Sequence, residues 1–177
     1  SLTDFDNESI TGTWQLIIYN SISSSGWDGT VQYTLMIETD SSTPDDPIYY
    51  GEEYSSDQCT IPYNEITSCE LEITDSGTIT DLDIEIDLDH DYDDGLQYVS
   101  LMLLSPTGTS ILLGAGQQVG GSWDGGDNGQ LYNTIFDDEA STGIYSGTTP
   151  FLGSFQPVGS LTDFDNESIT GTWQLII

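Results

Sequence analysis

The sequence contains no lysine and no arginine in 177 residues. Nucleic acid and anionic membrane surfaces are held through cationic side chains, so both are poor partners for this chain. Every trypsin-type cleavage site is missing as well, which suits a protein exposed to proteases. A single histidine, His90, and only two cysteines, Cys59 and Cys69, make a poor zinc site. No apolar run approaches membrane-spanning length, and no signal-peptide pattern opens the chain. Helical periodicity of useful length is also absent.

Acid is present in excess. The 31 Asp and Glu residues give a formal net charge of −31. Without cationic side chains this repulsion must be met by solvent, screening salt, protonation or bound cations. Oxygen-rich loops lacking positive charge point to Ca²⁺, with a merely solvated acidic surface as the alternative. Cys59 and Cys69 lie ten residues apart. A local disulfide, implying an oxidising compartment, is expected there, and two free thiols are the alternative.

One stretch occurs twice. SLTDFDNESITGTWQLII runs from Ser1 to Ile18 and again, letter for letter, from Ser160 to Ile177, an offset of 160 − 1 = 159 residues. Eighteen identical residues are beyond chance and define a period. The favoured reading is a window cut from a tandem array of near-identical domains, in which case a missing signal sequence says nothing about secretion. The alternatives are a periodic polymer whose start is arbitrary and overruns one period, or an engineered or permuted chain with a duplicated strand.

Taken in order, Thr13–Tyr19 and Val31–Ile37 read as strands of a hairpin around the loop Ser21–Gly29. Residues 38–70 read as an acidic Ser/Thr/Pro linker, with Cys59 and Cys69 pinching its end and with Tyr49, Tyr50 and Tyr54 expected to pack on a neighbouring domain. The clearest signal is Ile79–His90. There Leu82, Ile84, Ile86 and Leu88 alternate with Asp83, Glu85, Asp87 and Asp89, the period of an antiparallel strand with one buried face. Tyr98–Leu104, Ile111–Leu113, Tyr132–Phe136 and Gly171–Ile177 follow as strands, with Ser105-Pro106-Thr107-Gly108-Thr109 as a hairpin turn. The class is all-β, a sandwich or jelly roll.

These segments together resemble the P domain, the β-jelly-roll module found beside subtilisin-like proprotein convertases and in many secreted bacterial proteins. The resemblance runs through His90, Tyr98–Leu104, the S-P-x-G-T turn at Ser105–Thr109 and Ile111–Leu113. It continues through T-x-F-D-D-x-A at Thr134–Ala140, P-F-x-G-x-F-x-P at Pro150–Pro157, Leu161 with Phe164, and G-x-W-x-L at Gly171–Leu175. The closing D-G and L-x-I elements stand at Asp28-Gly29 and Leu35–Ile37, near the other end of the chain. The loop after His90 departs from the pattern, being longer and carrying Asp94-Gly95-Leu96 in place of G-D-L. The resemblance therefore implies that residues 1–37 close one P-domain-like repeat and that 71–177 form the body of the next. The missing strand pair would come from following residues, from residues 1–37 of another copy, or from 1–37 folding back.

His90 is the only residue on which a Ser–His–acid triad is possible, and the resemblance places a structural histidine there. Paired carboxylates are too numerous to mark acid–base catalysis, so no catalytic residue is expected. Candidate Ca²⁺ ligands are Asp91, Asp93 and Asp94 after His90, Asp124, Asp127 and Asn128 in SWDGGDNGQ, and Asp137 and Asp138 after a strand. Solvated turns are the alternative for each. Asn7-Glu8-Ser9 and its duplicate Asn166-Glu167-Ser168 are the N-glycosylation sequon. The expected function is a structural tandem repeat of an extracellular, calcium-stabilised filament or fibre, partnered by copies of itself through strand pairing. A non-catalytic accessory module of a secreted subtilisin-like protease or adhesin is the alternative.

Overall fold

A computed structural model describes residues 29–40, 52–62, 65–90, 95–116 and 130–177. Among the described residues ten strands carry the fold: β1 (Gly29–Thr39), β2 (Glu52–Ser55), β3 (Cys59–Ile61), β4 (Ser68–Ile73), β5 (Ile79–His90), β6 (Ser100–Leu104), β7 (Ser110–Ala115), β8 (Gln130–Phe136), β9 (Gly153–Phe155) and β10 (Gly171–Ile176). They form two packed sheets. One has the order β2-β1-β5-β8-β9 with β3 also on β1, and the other has the order β4-β10-β6-β7. The chain is an all-β sandwich, with only short 3₁₀ turns at Gly95–Tyr98, Ile144–Ser146 and Leu161–Phe164 among the described residues.

The alternation along β5 places its apolar set inward as the period-two pattern requires. Leu82, Ile84, Ile86 and Leu88 are buried, and Val31, Tyr33, Leu35 and Ile37 of β1 are buried beside them. β1 and β5 pair antiparallel from Gly29↔His90 to Glu38↔Asp81, so their inward faces form one continuous apolar wall. The opposite wall comes from Leu101, Leu103, Leu113, Trp173 and Leu175, all fully buried. The Tyr33 hydroxyl crosses between the walls to the carbonyl oxygens of Cys69 at 3.1 Å and Trp173 at 3.3 Å. Burial, and then the charge of Glu70, hold that phenol well above its ordinary range, so it stays a neutral donor.

The β6–β7 hairpin closes on Ser105–Thr109. The Ser105 amide donates to the Thr109 carbonyl at 2.9 Å, and the Ser105 hydroxyl oxygen accepts the Thr109 amide at 3.2 Å. Gly108 takes φ +100°, which an L side chain rarely adopts. Gly171 is also left-handed at φ +128°, and a Cβ there would meet Pro106 Cβ at 2.7 Å, so the glycine that opens β10 packs directly on this turn.

Two expectations change. Residues 38–70 are not simply linker, because β2, β3 and the start of β4 lie within them and β2 and β3 pair with β1. Strands of four and three residues at a sheet edge are too short to show a period, and their order comes from β1. The expected hairpin partner of 31–37, residues 13–19, lies outside the described residues; among the described residues β1 pairs with β5 on one edge and with β2 and β3 on the other. β1 thus folds back into the same chain's sandwich. Tyr54, expected to face a neighbouring domain, packs against this chain's own core. The Cys59–Cys69 disulfide joins β3 of one sheet to β4 of the other across a Cα separation of 5.9 Å.

Candidate metal centre

The outward face of β5 carries a row of carboxylates, and the strand beside it decides what each one does. Asp89 Oδ1 accepts from the Gln130 side-chain amide at 2.8 Å, and Asp87 Oδ1 accepts the Asn133 backbone N–H at 2.7 Å. Further along, β8 ends at Phe136, paired with Ile84, and the chain turns through Asp137–Ala140. That turn lays Glu139 against Asp81 and Asp83. One carboxylate oxygen from each of these three residues lies within 4.8 Å of the other two. Asp83 Oδ1 is buried and has no hydrogen-bond partner among the described residues.

The electrostatics follow from this crowding. At an effective dielectric of about 20, two like charges about 5 Å apart repel by roughly 3 kcal/mol. The chain has no Lys or Arg to offset this. Burial first, then the charges of Asp137, Asp81, Glu139 and Asp138, raise the Asp83 carboxyl to about 7. Asp165, beyond the 3₁₀ turn Leu161–Phe164, is raised too, by burial and then by Asp81 and Asp138. Oxygen-only donors with surplus negative charge suit a hard cation and no soft one. This small acidic cluster can hold a metal ion.

Of the residues singled out in the sequence, Asp137 and Asp138 border the cluster and shape it. Asp137 Oδ1 accepts the Glu139 amide at 2.6 Å, holding the turn that presents Glu139. Asp138 Oδ2 accepts the Ser160 hydroxyl at 2.7 Å and the Thr162 amide at 3.0 Å, tying the turn to the start of the duplicated segment. Asp91, Asp93, Asp94, Asp124, Asp127, Asn128 and Asn7 lie outside the described residues. Asn166 is exposed in a left-handed turn at φ +68°, its backbone N–H donating to Ile79 O at 2.9 Å. His90 is the last residue of β5.

Asp81, Asp83 and Glu139 were not singled out by sequence reasoning. On an alternating strand every outward acid looks the same, and Asp81 and Asp83 are far in sequence from Glu139. The one available signal was the acidic run Asp137-Asp138-Glu139 directly after a strand. Among the described residues no helix is long and apolar enough to cross a membrane. No family model matches the chain, and neither a curated protein nor a solved structure does.

Proposed function

We propose that this chain is a structural repeat of an extracellular filament, built from P-domain-like sandwiches and stiffened by Ca²⁺. The observation that carries the proposal is the 18-residue duplication, because the described copy supplies β10, the strand between β4 and β6. A segment that a sandwich needs once, and that recurs at an interval of 159 residues, is the signature of a chain built by repetition. A contact that repeats head to tail without closing gives a fibre. The disulfide between the sheets fits an oxidising compartment, and exposed Asn166 in its sequon is a candidate for an N-linked glycan in the same setting.

Calcium is the ion of choice for the Asp81–Asp83–Glu139 cluster. Ca²⁺ accepts carboxylates in flexible geometry, whereas Mg²⁺ demands a near-ideal octahedron and keeps several of its waters. The role assigned to the ion is structural: it neutralises carboxylates drawn from β5 and from the turn after β8, clamping two elements that otherwise repel.

The test is the mass of the intact native chain after reduction and full denaturation. One period corresponds to about 17 kDa (19.3 kDa × 159/177). A mass of many periods is expected. A mass near one period would replace the covalent array with a polymer of separate chains. One or two periods joined to a domain of catalytic size would replace the filament with an accessory module.

A further inference from the structure

β2 ends one sheet, and strand alternation sorts its four residues onto two faces. Glu52 and Tyr54 share one face, and Glu53 takes the other. The phenol of Tyr54 reaches Glu52 Oε2 at 2.6 Å and, across to the turn between β4 and β5, Asp75 Oδ2 at 3.2 Å. That turn is held by the Thr170 hydroxyl, which donates to Asp75 O at 2.6 Å. Glu52, Tyr54 and Asp75 line a cavity of about 280 Å³ together with the buried Ile37 and Ile169.

One proton serves three side chains here. Burial first, then the hydrogen bond to and charge of Glu52, then those of Asp75, raise the phenol above its ordinary range and keep its proton in place. A phenol donates once, and the shorter contact gives that proton to Glu52. Asp75 Oδ2 then faces the phenol oxygen with no hydrogen between them. Among the described residues no other donor reaches either carboxylate side chain. The chain has no lysine or arginine, so neither this molecule nor another copy can supply such a side chain.

We propose that this cavity binds the lysine side chain of a partner protein that is not a copy of this chain, presented by an extended segment on the open edge of β2. An alkylammonium carries three N–H donors on one nitrogen, which suits oxygens converging from three side chains. A guanidinium is a planar fork suited to a single coplanar carboxylate. The methylene stem covers Ile37, Ile169 and the Tyr54 ring, which a bare metal ion would leave uncovered. The volume falls below the roughly 300–1,000 Å³ of clefts that enclose drug-sized ligands, and it fits one side chain. The source follows from the fold: β2 has β1 on one edge and no strand on the other among the described residues, so an added segment brings its side chains to this cavity. The site shares no residue with the Asp81–Asp83–Glu139 cluster and does not depend on the chain being a filament repeat.

Backbone-amide NMR of the full-length chain tests it, at an ionic strength of about 0.15 M to screen surface charge. The titrants are a blocked, β-forming pentapeptide with a central lysine, its arginine counterpart, n-butylamine and CaCl₂. The lysine peptide should saturate one site per chain, with shifts centred on residues 52–54 and 75–76. Glu52→Gln and Asp75→Asn should each weaken it about tenfold. Both side chains are exposed, so neither change disturbs the core. Glu53→Gln removes the same charge from the opposite face of β2 and should leave binding unchanged. The arginine peptide should bind several-fold more weakly for its geometry, and n-butylamine for want of a backbone to pair with β2. If n-butylamine matches the peptide, the site serves free amines and the partner protein is overturned. Equal binding of the arginine peptide overturns the lysine assignment. Localised shifts with Ca²⁺ but not with the amines overturn the inference, as does a Glu53→Gln effect equal to that of Glu52→Gln, which would mean plain attraction to an acidic surface.

Discussion

Asp83 and Asp87 occupy outward positions on the same face of β5, yet their chemistry differs. Asp87 has the Asn133 amide as a donor, whereas Asp83 has a buried oxygen with none among the described residues and four acids around it. A carboxyl whose folded pKa of about 7 stands above its ordinary 3.8 holds more protons in the native state than in the unfolded one across that interval. Cation-free protein should therefore lose stability as pH rises from about 4 to about 7, and regain it when the cation is added. Asp83→Asn should flatten this profile and, discounted for solvent screening, stabilise the cation-free protein by roughly 1–2 kcal/mol. The same change should weaken Ca²⁺ binding at least several-fold. Urea unfolding across that pH range, with and without chelator, reads both effects. Gly171 makes a second prediction at this scale. Its φ of +128° and the 2.7 Å approach to Pro106 leave no room for a methyl group. Gly171→Ala should cost roughly 1–3 kcal/mol by thermal or denaturant unfolding.

At the scale of elements, legibility tracked length and periodicity. β5 is twelve residues long and alternates strictly from Asp81 to Asp89, so its buried face follows from its own sequence. The Ser105–Thr109 turn was equally legible, because Pro and Gly at fixed offsets state a hairpin. β2 and β3 were hidden, since EEYS and CTI have no pattern of their own. β3 nonetheless carries Cys59, and its bond to Cys69 on β4 staples one sheet to the other. Closing a loop of ten residues restricts the unfolded chain by about 2–3 kcal/mol. Reduction should lower the unfolding free energy by roughly that amount while leaving the proposed Ca²⁺ site unchanged, because Asp81, Asp83 and Glu139 sit on β5 and the turn after β8. Calcium titration of reduced and oxidised protein checks this.

For the whole molecule, the charge of −31 with no basic side chain sets the terms. Sodium chloride should raise the thermal midpoint by screening, and on the proposed calcium reading Ca²⁺ should raise it further at equal ionic strength. Ligand at about 100 times its Kd adds about 2.7 kcal/mol. In a chain of this size that corresponds to a rise of roughly 5–10 °C, removed by chelator. A scan in which Ca²⁺ and sodium chloride are equivalent at matched ionic strength would reduce the cluster to plain surface.

The sequence by itself determined the all-β class, the buried face of β5, the hairpin at Ser105–Thr109 and the duplication of an 18-residue segment. Each of these is local or is an identity of letters, so no distant residue was needed to read it. Only the tertiary structure decided that β1 lies beside β5, that β2 and β3 belong to the same sheet, that the two cysteines are bonded, and that Asp81, Asp83 and Glu139 converge. Those facts depend on register between strands some fifty residues apart (Ile84 opposite Phe136, Leu35 opposite Ile84), which burial of a shared core selects and local pattern does not encode.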